Sequence, residues 1–130
     1  MLDLLPLSAR AGALWTQRQR SRYRRSGRCL TPAETDGLAA VFPATTLAAM
    51  RIASAPPLDG SLAGKLFLSG IPPQLMLSLL RANGITFVDT ILMKSPGSPG
   101  LSLLFHEAVH VLQFQELGVE GFIRCPRLSF

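Results

Sequence analysis

The spacing of apolar and polar positions changes along this chain, and each change predicts an element. Thr31-Pro32-Ala33-Glu34 places a threonine three residues before a glutamate, with proline at the first helical position. That capping box predicts a helix through Leu38, Ala39 and Val41 that stops before Pro43. Residues 47–54 leave two readings open, since their alanines favour helix whereas their short length and the closing Ala55-Pro56-Pro57 fit a strand. Residues 56–72, rich in Pro, Gly and Ser around Lys65-Leu66-Phe67-Leu68, read as loop with one short strand. Residues 73–82 predict a short helix closed by Asn83-Gly84, and the β-branched and aromatic content of residues 85–93 predicts a strand. After the break at Ser95-Pro96-Gly97-Ser98-Pro99-Gly100, a helical period runs from Leu101 until Gly118 ends it.

That last helix holds both histidines of the protein, in Phe105-His106-Glu107-Ala108-Val109-His110. Four residues advance a helix by about 400°, so His106 and His110 stand about 40° apart around the axis and one turn apart along it. Two imidazoles so placed can chelate one Zn²⁺, and Glu107, about 100° from His106, is set beside the ion as a general base and not as a ligand. With His106 as zero, Leu104, Val111, Ala108, Gln115, Leu112, Phe105 and Leu101 fall between about 140° and 260° and form the core-facing stripe. Glu116, Val109, Ser102 and Gln113 form a partly exposed edge, and the histidines share their sector with Leu117, Leu103, Phe114 and Glu107. An ionisable Glu107 on so apolar a face is costly to bury without a partner, and a metal or water cluster would relieve that cost. A purely structural histidine pair is the competing reading of the same face.

The H-E-x-x-H motif resembles that of the zincin-type metallopeptidases, and the run from Phe105 to Phe114 is similar to the motif helix of short uncharacterised bacterial zincin-like domains. The resemblance covers residues 85–123. It implies an α+β fold, a minimal zincin-like arrangement with a small sheet packed on the central motif helix, and it favours a strand at residues 47–54. It also implies a zinc-dependent hydrolase acting on a peptide or protein substrate, with His106 and His110 as ligands and Glu107 as base. Asp89, in the middle of the expected strand, is either an outward-facing residue or support for a metal-bound histidine.

A catalytic zinc needs three protein ligands and one open position, and the motif supplies two. Glu116 stands ten residues after His106, the metzincin spacing, but Gln113 occupies the place of the glycine that turns those chains, which leaves Glu116 on the exposed edge. Glu120 and Cys125 are the later donors within reach, and the third ligand stays open between them. Residues 31–130 therefore read as a zincin-like domain incomplete at its C-terminus, truncated or frame-shifted from a longer form.

Charge adds a second feature. Of 13 Lys and Arg, seven lie from Arg10 to Arg28 (Arg10, Arg18, Arg20, Arg22, Arg24, Arg25, Arg28), so the net charge of +5 belongs to the N-terminal quarter. Residues 1–30 read as a basic, poorly ordered leader. Its arginines make nucleic acid a partner to weigh, although a solvated tail is the plainer reading. The 48% hydrophobic and 16% charged composition is that of a globular chain. Cys29 and Cys125 are the two cysteines and form no C-x-x-C pair, so neither a disulfide framework nor a thiolate zinc knuckle is indicated, and a single disulfide between them stays open. No run reaches the 18 apolar residues of a membrane span, and Asp3 with Pro6 spoils a signal peptide, so a cytoplasmic location is expected. Two rivals to the peptidase reading follow: an inactive remnant or interaction module that keeps the helix for packing, and a nucleic-acid-associated protein working through residues 18–28.

Overall fold

The computed structural model describes residues 5–57, 60–71, 83–97 and 99–124. In chain order these form α1 (Leu5–Arg24), α2 (Pro32–Leu38), α3 (Ala44–Ala49), β1 (Arg51–Ser54), α4 (Leu62–Leu68), β2 (Gly84–Phe87), β3 (Thr90–Met93) and α5 (Leu101–Arg124). The class is α+β, with the sheet ordered β1-β3-β2, β1 parallel and β2 antiparallel to β3.

Alternation along the strands divides the core in two. Ile52, Ile91 and Met93 point to one face, where they meet Leu38, Phe42, Leu47 and Met50 together with Leu104, Ala108 and Val111 of α5. Ala53, Leu92, Ile85 and Phe87 point to the other, where Trp15 of α1 and Phe67 of α4 cover them. The Trp15 ring stands edge-on to Phe67 at 5.6 Å and to Phe87 at 5.3 Å, the favoured geometry for aromatic pairs. The sheet is thus sandwiched between helices on both faces.

The N-terminal segment is where the structure departs furthest from the sequence reading. Residues 5–24 are a 20-residue helix with Trp15, Thr16 and Gln19 buried, so this part of residues 1–30 is ordered and belongs to the core. Three of the arginines that looked mutually repulsive, Arg20, Arg24 and Arg28, have specific partners elsewhere in the chain. Arg20 donates from Nε and Nη2 to the two carboxylate oxygens of Asp89, both at 3.0 Å, and Arg24 lies 3.2 Å from the same carboxylate. Arg28 holds Glu34 at 2.8 and 3.0 Å and donates to the carbonyl of Pro96, while its backbone pairs with Ile52 at the edge of β1.

Other boundaries moved for local reasons. The capping box at Thr31 is present with both of its hydrogen bonds, but the helix ends at Leu38 and Val41 and Phe42 close a turn on the Leu38 carbonyl. Residues 47–54 contain both predicted states: α3 ends at Ala49 and β1 begins at Arg51. The short strand expected around Phe67 is instead α4, capped by the Ser61 hydroxyl, which accepts from the Gly64 N–H. The helix predicted for residues 73–82 lies outside the described residues. The single strand expected over residues 85–93 is a hairpin, turning at Val88 and Asp89, and Val88 adopts a φ of 63° that a β-branched residue rarely takes. Asp89 therefore sits in that turn, gripped by α1, and supports the hairpin instead of a histidine.

No helix among the described residues is long and apolar enough to cross a membrane.

Candidate metal centre

Helix α5 packs its Leu104, Ala108 and Val111 into the core as expected, but the buried face is rotated toward the histidines. Glu107, His110 and Phe114 are buried, whereas Phe105, Leu101 and Gln115 of the expected stripe are exposed. The reason is β2, which approaches from the Glu107 side. Gly84 and Thr86 pair with Met93 and Ile91 and share their sheet face, and both lie against Glu107. The Thr86 hydroxyl donates to Glu107 Oε2 at 2.5 Å, and a side chain at Gly84 would place its Cβ 3.2 Å from Oε1. The strand thus provides one donor and one missing side chain, the two things a buried carboxylate at that position needs. Oε1 makes no described hydrogen bond to the described residues.

His106 is exposed and His110 buried, yet their rings meet. The two Nε2 atoms are 3.2 Å apart, with ring centroids at 4.8 Å. His110 Nδ1 lies 2.8 Å from Gln113 Oε1, an acceptor, so Nδ1 carries the proton and the Nε2 lone pair is left facing His106. Bonds of about 2.0–2.1 Å from both Nε2 atoms to one zinc ion would then subtend about 100° at the metal, close to tetrahedral. The pair fits a zinc ion on donor chemistry and on spacing, and the exposure of His106 leaves it open to solvent.

Gly118 breaks α5, as expected of a glycine in that position. Its φ of 73° and ψ of 171° are open to glycine and redirect the chain, which then resumes helical geometry to Arg124. The redirected turn brings Phe122 back onto the site, stacked on Phe114 at 3.7 Å and edge-on to His110 at 5.7 Å. Ile123, next in the chain, lies against Gly12 of α1. Sequence reading missed Phe122, Thr86 and Gly84; the last two were legible only as members of a strand whose register was unknown.

The remaining donors are not assembled around the imidazoles. Glu120 is exposed and lies 3.7 Å from Arg124, Glu116 is exposed on the same helix, and Cys125 is outside the described residues. Among the described residues no three His, Cys, Asp or Glu side chains are grouped to hold a metal. An apolar pocket of about 440 Å³ between Cys29, Phe42 and Leu47 is lined by none of the motif residues. No protein-family model, no curated protein and no solved structure matches the chain.

Proposed function

We propose that His106 and His110 bind a single divalent zinc ion and that the chain is a zincin-type, metallopeptidase-like domain. The observation that carries this reading is the facing of the two Nε2 atoms at 3.2 Å, with Gln113 fixing the protonation of His110 on the far nitrogen. Without a metal the same contact is a hydrogen bond from His106 Nε2–H to the His110 Nε2 lone pair, and a zinc ion would take the place of that proton between the two nitrogens.

Each residue then has a separate task. His110 is held by the Gln113 acceptor and by the Phe122 ring, so its orientation is set before any ligand arrives. Glu107 is held by Thr86 at Oε2, which leaves Oε1 as the atom to take up a proton from an attacking water. Zinc, when bound, would supply Lewis acidity and lower the pKa of its water. A peptide substrate follows from the family resemblance alone.

Substitution separates these tasks. Glu107→Gln should leave zinc content intact and lower any peptide cleavage by about a hundredfold or more. His106→Ala should lose the metal. Equal zinc content in wild type and His106→Ala would overturn the reading.

A further inference from the structure

Helix α1 and the turn that follows it carry two populations of arginine. With Trp15 as zero and 100° per residue, the buried residues Trp15, Gln19 and Thr16 fall between about 0° and 100°, and Arg20 and Arg24 at about 140° and 180° reach round to Asp89. Arg18 and Arg22 fall at about 300° and 340°, along the flank of the helix away from Arg20 and Arg24, and Arg25 follows in the turn just past the helix end; all three are exposed. Arg22 also contacts the neutral hydroxyl of Tyr23. Among the described residues none of these three arginines has a carboxylate partner, and the sequence has no Asp or Glu between Asp3 and Glu34.

We propose that these three arginines form a docking surface for the phosphate backbone of a nucleic-acid duplex, without regard to base sequence. From Arg18 to Arg22 the helix rises about 6 Å and Arg25 continues the row past its end, while phosphates on one strand advance about 3.4 Å per step, so three guanidinium groups can meet about three phosphates. The planar guanidinium fork matches a phosphate's oxygens, and the neighbouring Gln17 and Ser21 add exposed hydrogen-bonding groups. A bilayer is a poorer fit. Helices that lie on membranes sink their apolar face into the lipid, and the apolar face of α1 is committed to the core through Trp15, leaving Leu14 as the large apolar side chain exposed on α1 among the described residues.

The test is fluorescence anisotropy of the full chain with a labelled 20-base-pair duplex, in two unrelated sequences, from 50 to 200 mM salt. Three neutralised phosphates give a log–log salt slope of about −2.7, so affinity should fall roughly fortyfold over that range and equally for both sequences. The triple variant Arg18→Gln, Arg22→Gln, Arg25→Gln should bind at least tenfold more weakly at 50 mM with an unchanged circular dichroism spectrum. The corresponding triple Lys variant should keep most of the salt slope. No duplex binding at 50 mM salt, wild-type binding by the Gln variant, or capture by phosphatidylserine vesicles without duplex binding would each overturn the proposal. Should the Gln variant fail to fold, a wild-type slope shallower than about −1 would overturn it equally.

Discussion

Arg20 on the first helix and Asp89 in the hairpin turn form a two-pronged ion pair across 69 residues of sequence, with both N–H···O distances at 3.0 Å. The pair ties α1 to the β2–β3 turn, where Val88 is held at a φ of 63°. Replacing Asp89 by Asn should cost about 1–2 kcal/mol. Charge-assisted hydrogen bonds carry more than neutral ones, but a guanidinium one-third exposed is screened by water. Urea denaturation should show a lower midpoint with an unchanged slope.

Acid should weaken the same contacts. Burial pushes the Asp89 carboxyl up, but the hydrogen bond from Arg20 and the charges of Arg20 and Arg24 outweigh it and hold the group below its ordinary range. The Glu34 carboxyl is lowered chiefly by the Arg28 hydrogen bond. A carboxylate whose folded pKa is depressed contributes stability that is present above the unfolded value, about 4, and is lost as pH falls through the folded one. Melting temperature should therefore drop on acidification below about pH 4, and the drop should be shallower in Asp89→Asn.

The ordered N-terminus makes a further prediction. Deleting residues 1–30 removes Trp15 from the core along with Arg20, Arg24 and Arg28, and should abolish cooperative unfolding. Trp15→Ala alone should cost about 3–5 kcal/mol. Thermal unfolding followed by circular dichroism would detect both, and a sharp transition in the deleted chain would show that α1 is dispensable.

Thr86 should matter because Glu107 is buried. Thr86→Val keeps the shape and removes the donor to Oε2, leaving a carboxylate against the sheet at a cost of about 1–3 kcal/mol, whereas Thr86→Ser should retain most of the stability. Denaturation of the two variants side by side distinguishes the hydrogen bond from simple packing.

The elements with local signatures were the ones legible in the sequence. Thr31 and Glu34 lie within one turn of each other and form their capping box whatever the rest of the chain does. Gly118 breaks its helix for an equally local reason. His106 and His110 meet because helical spacing alone brings them together. What failed depended on partners far away. Arg20, Arg24 and Arg28 look mutually repulsive until Asp89 and Glu34 are placed opposite them, and Asp89 looks like a strand residue until the turn at Val88 is seen. The rotation of the buried face of α5 toward Glu107 required the position of Gly84 and Thr86, which strand alternation cannot give without a register.

The central claim is the shared metal of His106 and His110, and calorimetric titration of the full chain with zinc tests it most directly. Two imidazoles without a third protein ligand predict weak 1:1 binding, retained in Glu107→Gln and lost in His106→Ala, whose exposed position leaves the fold intact by circular dichroism. Tight 1:1 binding would instead reveal a third ligand, which Cys125→Ser or Glu120→Gln should expose by weakening it. No binding heat from the wild type, or heat that His106→Ala leaves unchanged, would contradict the account.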